Sequence, residues 1–183
     1  SSAASDVYKR QPYDNYHYLN QFLNTHKLKA IFFFLLGDYG KMDKNINPNH
    51  PNFINLIQSL SKFHSIGIHP SYSSLNSEKI IKKEIDKLKK INSKEVELSR
   101  FHYLRFSFPK SYQILQSLGV QKDFSMGYTD RIGFRAGTCT PFNFYDLDNE
   151  KITSVKIVPF VYMDGVLNDK LKYTPKKCIQ IIK

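Results

Sequence analysis

The chain has 183 residues, of which 41% are hydrophobic and 14% aromatic, and its formal net charge is +11. This length and apolar content suit one globular domain with a sizeable core and exclude low-complexity disorder. The longest apolar run, residues 30–36, is far too short to cross a bilayer, so no membrane partner is expected. Two cysteines, Cys139 and Cys178, have no framework or zinc-site spacing. With no visible signal peptide, the cytoplasm is slightly favoured.

The surplus of positive charge has two interpretations. A basic domain can bind nucleic acid or another acidic polymer, and its affinity would then fall steeply with salt. However, lysines outnumber arginines here, and many lie on the outer faces of amphipathic segments. No basic stripe is interleaved with stacking aromatic residues, so a solvated lysine-rich surface is favoured and no nucleic-acid partner is expected.

The first eleven residues look foreign to the rest of the chain. The segment 6–11, Asp-Val-Tyr-Lys-Arg-Gln, resembles the translation of a transposon-end adapter used in sequencing libraries. Residues 1–11 are therefore expected to contribute nothing to the fold. Residues 12–183 are expected to form a single incomplete domain whose natural N-terminal part is missing.

The remaining chain alternates helical and strand patterns. The predicted helices cover 14–26, a stretch that starts at Pro51, a stretch capped by Ser77, 110–118, and a stretch that starts at Thr174. The predicted strands cover 29–36, 65–69, 95–103 and 152–162, with a shorter one near 123–126. This order predicts an α/β protein with a parallel sheet, either open or closed into a barrel.

The stretch from Val96 to Phe108, V-E-L-S-R-F-H-Y-L-R-F-S-F, concentrates polar chemistry in a strand-like pattern. Two arginines, an imidazole and a phenol lie within six residues, and a buried strand would have to give them partners or a cavity. One interpretation is a half-exposed strand with its charges in water. The other is a strand end at an active site, since α/β folds place their sites there. His69 and Asp123 end two other predicted strands, which favours the second interpretation. The side chains predicted to converge on one mouth are His69, Arg100, His102, Tyr103 and Asp123.

Five segments resemble the NodB-type polysaccharide deacetylases, in a divergent bacterial branch. They are 31–37 (IFFFLLG), 67–72 (GIHPSY), 99–105 (SRFHYLR), 123–128 (DFSMGY) and 133–138 (GFRAGT). They occur in the expected order over most of 12–162. The resemblance implies a distorted (β/α)7 barrel, incomplete at both ends here. It also implies hydrolysis of N- or O-acetyl groups on a sugar polymer, with a divalent metal such as zinc as cofactor.

The resemblance also implies metal ligands. In the family an Asp and two His hold the metal, and the histidine motif is His, Ser or Thr, two residues, then His. His69 matches the first histidine, but Ser73 stands where the second belongs. His102 could replace the lost ligand.

The family's Arg-x-Pro-Tyr/Phe motif appears here as Arg100-Phe101-His102-Tyr103, with histidine in the proline position. By the resemblance, Arg100 orients the catalytic aspartate and the backbone N–H of Tyr103 faces the oxyanion. Asp123 is a further catalytic candidate that either orients a site arginine or only caps a turn.

Three other residues are candidate contacts to the carbohydrate: Tyr72, Met126 and Arg135. Met126 suits the core equally well. Arg135 lies between two glycines and could meet a carboxylate or an anionic substrate. The alternative for Arg135 is a loop arginine paired with Asp130 or Asp146.

Two of the family's catalytic elements have no counterpart in this sequence. The aspartate pair would precede residue 12 and the acid histidine would follow residue 183, so the chain by itself is expected to be inactive. Ser73 in a ligand position also leaves open a degenerate barrel that binds glycan without hydrolysis.

Overall fold

A computed structural model of the protein describes residues 14–182. The chain divides into two compact units, residues 1–31 and 32–183. In the described part of the first unit, helix α1 spans Tyr16–Thr25, within the predicted range 14–26. The expectation that residues 1–11 take no part in the fold lies outside the described residues.

Within residues 14–182 there are six strands and five α-helices. After α1 they are β1 Ile31–Phe34, α2 Pro51–Leu60, β2 Ser65–Ile68, α3 Glu78–Asn92, β3 Leu98–Ser99, α4 Lys110–Ser117, β4 Lys122–Asp123, β5 Phe142–Asp146, β6 Lys151–Ile157 and α5 Pro175–Ile182. Short 3₁₀ turns occupy Tyr72–Ser74 and His102–Leu104, and a π-helical turn occupies Val166–Lys170. None of the described helices combines the length and apolar character needed to cross a bilayer.

The six strands form one sheet in the order β1-β2-β3-β4-β6-β5. β2, β3, β4 and β6 are parallel, and Ile68, Ser99, Asp123 and Ile157 form one row across them. The predicted α/β class is therefore confirmed, and the sheet is mostly parallel, with β5 antiparallel to β6. Among the described residues the sheet is open, with β1 and β5 at its two edges, so it does not show the closure of the expected barrel.

The antiparallel hairpin of β5 and β6 was not predicted from the sequence. Phe142 pairs with Ile157 and Asp146 with Lys151, with a bulge between Asn143 and Tyr145. An aromatic-rich run followed by a polar turn is a hairpin signal, and Asp146 fixes that turn by accepting bonds from the residues that follow it. β6 ends at Ile157, so the strand predicted over 152–162 extends too far.

Strand β3 is also much shorter than the predicted 95–103. Its extended pairing persists for three residues, because the N–H groups of Arg100 and His102 donate to Ile68 O and Pro70 O at 3.0 Å. The chain then turns sharply: Tyr103 and Leu104 have φ of 56° and 49°. Bulky residues rarely adopt this left-handed conformation, which no sequence pattern predicts.

Helix α3 covers the sheet with an apolar stripe and carries its lysines outward. Ile81, Ile85 and Leu88 are buried, as predicted. One polar residue on the same face, Glu84, is also buried and binds the loop after β2. The chain after β1 also packs closely against the loop after β2. Position 37 must be glycine there, because a Cβ on Gly37 would lie 2.6 Å from Ser71 Cβ. The helix and the end of β1 therefore both support the loop that carries the site.

Candidate active site

Two imidazoles meet where strands β2 and β3 end. His69 directly follows β2, and His102 lies three residues after β3. Because the two strands are parallel neighbours, the residues that follow them reach the same edge of the sheet. The two ring centroids are 5.0 Å apart, so the predicted approach of these histidines is a feature of the structure.

His69 is held in one tautomer by a backbone carbonyl. Its Nδ1 is hydrogen-bonded to the carbonyl oxygen of Arg100. A carbonyl can only accept, so Nδ1 carries the hydrogen and Nε2 keeps a lone pair. Burial, together with the charges of His102 and Arg100, lowers the pKa of His69 to about 4, against the opposing bond to Arg100 O. The ring is therefore a neutral imidazole at neutral pH.

His102 is bound by a buried carboxylate, Asp43, which is 3% exposed. His102 Nδ1 lies 3.0 Å from Asp43 Oδ1. Three other donors reach the same carboxylate: Tyr72 N at 2.7 Å, Ser73 N at 3.1 Å and Ser73 Oγ at 3.0 Å. Burial alone would raise the pKa of Asp43, but the bonds from His102, Tyr72 and Ser73 outweigh it and lower that pKa. Asp43 is therefore ionised, and His102 Nδ1–H is the donor.

The separation of the two rings is compatible with a pair of ligands to one metal ion. In metal sites a ligating histidine usually donates its other ring N–H to a carboxylate or a carbonyl, as His69 and His102 both do. Two imidazoles bound to one zinc ion through Nε2 would have their centroids about 5 Å apart, and the observed distance is 5.0 Å. Within residues 14–182, no group of three or more His, Cys, Asp or Glu side chains is arranged to hold a metal.

Arg100 contributes its backbone to the histidine pair and directs its side chain elsewhere. Its Nη1 donates to Phe124 O at 3.2 Å, and its guanidinium carbon lies 4.2 Å from the ring centroid of Phe160. The predicted role of Arg100 in orienting a catalytic aspartate remains a prediction.

Asp123 lies in the interior, with all its accepting positions in use. Oδ2 accepts from Ser99 Oγ at 2.7 Å and Ser125 Oγ at 2.9 Å, and Oδ1 accepts from Ser125 N at 3.0 Å and Tyr112 OH at 3.2 Å. Ser125 Oγ in turn accepts the N–H of Phe101 at 2.8 Å. Burial raises the pKa values of Asp123 and Tyr112. This placement favours a role in holding β3, β4 and α4 together over direct contact with a substrate.

Aromatic side chains border the histidine pair. Tyr103 is 55% exposed, and the centroid of its ring lies 4.5 Å from the centroid of the His102 ring. Tyr72 meets Tyr103 edge-on at 5.7 Å, and the guanidinium of Arg105 stacks 3.9 Å from the Tyr72 centroid. Arg105 Nη1 also donates to Tyr72 O. These rings present apolar faces of the kind that sugars stack on.

The other two predicted substrate contacts have different surroundings. Met126 is 5% exposed and belongs to the core. Arg135 is exposed, and its guanidinium carbon lies 5.0 Å from the centroid of Phe106. Its suggested carboxylate partners bind other groups: Asp130 pairs with Arg131, and Asp146 binds Gln113 and Asn149. Contact of Met126 or Arg135 with a substrate stays a prediction.

Two residues of the site were missed from the sequence, Asp43 and Arg105. Asp43 lies in the polar loop after β1, and the loop after a parallel strand is where α/β sites form, so its position was a usable signal. Its link to His102 was not predictable, because 59 residues separate the two along the chain. Arg105 was visible as part of the polar stretch, but its stacking on Tyr72 depends on the turn at Tyr103.

Comparison with known proteins gives one informative likeness. No family model and no curated protein matches this sequence. Three solved chains match, among them a crystal structure described as a "putative polysaccharide deacetylase from Mycobacterium smegmatis". The TM-score is 0.63 and the identity 14%, over 93% of this chain and 57% of the other. This chain thus spans little more than half of that protein's length. At this identity the likeness shows the fold alone: residues 14–182 have the fold of part of that structure.

Proposed function

We propose that this chain belongs to a metal-dependent deacetylase of the NodB type that hydrolyses N- or O-acetyl groups on a carbohydrate polymer, within the barrel that the resemblance implies. The observation that carries the proposal is the histidine pair. The ring centroids of His69 and His102 lie 5.0 Å apart at the end of parallel strands, and the Nδ1 of each ring is hydrogen-bonded to an acceptor. The fold-level likeness to a protein described as a deacetylase supports the same conclusion.

In this proposal His69 and His102 hold a divalent cation through Nε2. Such an ion supplies Lewis acidity and a nucleophilic water at neutral pH. The low pKa of His69 suits ligation, because only the neutral ring has a lone pair to offer. A third ligand would come from outside the groups described here. Arg100 and the backbone N–H of Tyr103 keep their proposed roles in orienting an aspartate and stabilising the oxyanion.

The aromatic rings beside the imidazoles would bind the sugar. Tyr103 offers an open face, and Tyr72 is fixed behind it by Arg105. Aromatic faces pack against the apolar C–H faces of sugar rings, while the acetyl group would be directed toward the histidine pair. Either an N-acetyl or an O-acetyl substituent is compatible with this arrangement.

Zinc binding to the purified chain tests the proposal. The wild-type chain should bind Zn²⁺ in calorimetry, and His69→Gln or His102→Gln should weaken binding by at least about 10–100-fold, the range seen for mere outer-shell losses. His17→Gln is the matched control, because His17 is exposed on α1. Equal affinity in all four proteins would contradict a site formed by this pair.

A second function is favoured by one observation. Ser73 occupies the position of the family's second histidine and donates its hydroxyl to Asp43. A protein that has lost this ligand could bind glycan without hydrolysing it. Oligosaccharide binding that persists in excess chelator, with no zinc binding in calorimetry, would support this alternative and exclude the metal-dependent proposal.

A further inference from the structure

Asp43 gathers three separate parts of the chain around one carboxylate. It lies in the loop after β1, and its partners come from the loop after β2 and from the turn after β3. Oδ1 accepts from Tyr72 N and His102 Nδ1, and Oδ2 accepts from Ser73 N and Ser73 Oγ. With four bonds its accepting capacity is full. Asp43 therefore has no oxygen left for a substrate or a metal.

The bond to His102 has a chemical consequence for the ring. Each oxygen of Asp43 already accepts a backbone N–H, and an imidazole is a stronger base than a carboxylate, so the hydrogen between Oδ1 and Nδ1 belongs to the ring. His102 Nδ1 must then be protonated, because a bare nitrogen would face the anion. The lone pair of the neutral ring is left on Nε2.

We infer that Asp43 is a positioning residue: it holds the His102 ring as the Nδ1–H tautomer and thereby makes Nε2 the nitrogen available for ligation. The inference rests on the proposed function only in what Nε2 binds. The carbonyl oxygen of Arg100 holds the His69 ring in the same tautomer by accepting its Nδ1–H. Both rings therefore leave Nε2 available. A backbone oxygen binds Nδ1–H of His69, and a side-chain oxygen binds Nδ1–H of His102.

The surroundings of Asp43 keep the carboxylate from rotating. Ser73 Oγ is 3.1 Å from Ser71 Oγ, and Ser71 is bound to Glu84 of helix α3 through both its hydroxyl and its N–H, the latter at 3.0 Å. A rotation of Asp43 would break bonds to two backbone amides at once. The orientation of His102 is therefore set by buried groups and not by solvent.

Nitrogen-15 NMR of the histidine rings in the metal-free 183-residue chain tests the inference directly. In the pH range where the spectrum shows a single hydrogen on the His102 ring, that hydrogen should be on Nδ1. The His102→Gln variant assigns the signal. A neutral ring with its hydrogen on Nε2 would overturn the inference without any variant of Asp43.

Removal of the carboxylate supplies the second measurement. In Asp43→Ala the His102 ring should lose its single Nδ1–H state and populate the Nε2–H tautomer. Asp38→Ala is the matched control, since Asp38 lies on the same loop and is exposed in ion pairs with Lys83 and Lys87. Circular dichroism checks the fold. If Asp43→Ala does not fold, the inference is tested by the His102 tautomer of the wild-type chain. An unchanged tautomer in folded Asp43→Ala would reject the role of Asp43.

Zinc affinity separates positioning from a general structural effect. Asp43→Ala should weaken zinc binding about 10–100-fold in the wild-type background, as outer-shell losses do. It should have no further effect when His102 is already Gln, because the ring that it positions is gone. Equal losses in both backgrounds would show a structural role. If the chain binds no zinc at all, the proposed function fails while the tautomer result still judges Asp43.

Discussion

At the scale of single residues, three buried carboxylates organise the molecule in different ways. Asp43 holds an imidazole, Asp123 ties strands and helix α4 together, and Glu84 fastens the loop after β2 to helix α3. Burial opposes ionisation in each case. Only in Asp43 do the donated hydrogen bonds prevail and lower the pKa, whereas the pKa values of Glu84 and Asp123 are raised.

Glu84 predicts a dependence of stability on pH. Burial raises its pKa in the folded state against the bonds from Ser71, so the folded protein binds a proton more tightly than the unfolded chain does. The free energy of unfolding contributed by this group must therefore fall as pH rises from about 4.3, the ordinary glutamate pKa, toward its folded value. Glu84→Gln should remove that part of the slope in urea titrations at several pH values.

The control for this experiment is Glu95→Gln, since the Glu95 side chain is 75% exposed and forms an ion pair with Lys89. Its slope should match that of the wild type over the same range. If the free energy of unfolding depended on pH equally steeply in Glu84→Gln and Glu95→Gln, Glu84 would not be titrating in a buried environment.

At the scale of elements, helix α3 positions Glu84 and its two ends are open to simple tests. Ser77 begins the helix as its N-cap and accepts the N–H of Ile80, while Ser93 ends it with φ of 54°. A serine in the left-handed conformation is strained, whereas glycine adopts it freely. The two ends should therefore respond to substitution in opposite directions.

Ser93→Gly should raise the free energy of unfolding by about 1 kcal/mol, the approximate cost of the left-handed conformation. Ser77→Ala should lower it by about 0.5–2 kcal/mol through the loss of the cap. Urea denaturation followed by circular dichroism measures both changes. A loss of stability in Ser93→Gly would mean that the serine side chain makes a contact worth more than the strain.

At the scale of the whole molecule, the catalytic parts are expected to extend beyond the motifs found here. The chain spans 57% of the deacetylase-like structure that it resembles in fold. The aspartate pair and acid histidine of the NodB-type deacetylases, which the sequence resembles, have no counterpart among its motifs. We therefore expect the 183-residue chain to release no acetate from an N-acetylated oligosaccharide, with or without Zn²⁺. Metal-dependent release abolished by His69→Gln would show that this chain supplies its own base and acid.

The sequence by itself determined the α/β class and the position of most elements. Buried apolar runs and amphipathic periods are local signals, so α2, α3 and β2 appear where they were predicted. His69 and His102 could also be singled out, because polar residues at strand ends are visible in the sequence. Hairpin β5–β6 carried a local signal that was overlooked.

Tertiary structure alone decided which of these residues act together. Strand β3 ends at Ser99, and the chain turns through left-handed residues at Tyr103 and Leu104, directly after the His102 that binds Asp43. The apolar alternation of the sequence predicted a longer strand. Asp43 and His102 are 59 residues apart in the chain, and Asp123 looks like a site residue until its four donors are seen around it. The physical reason is that a hydrogen bond between distant segments depends on the packing of the elements between them, which no local pattern encodes.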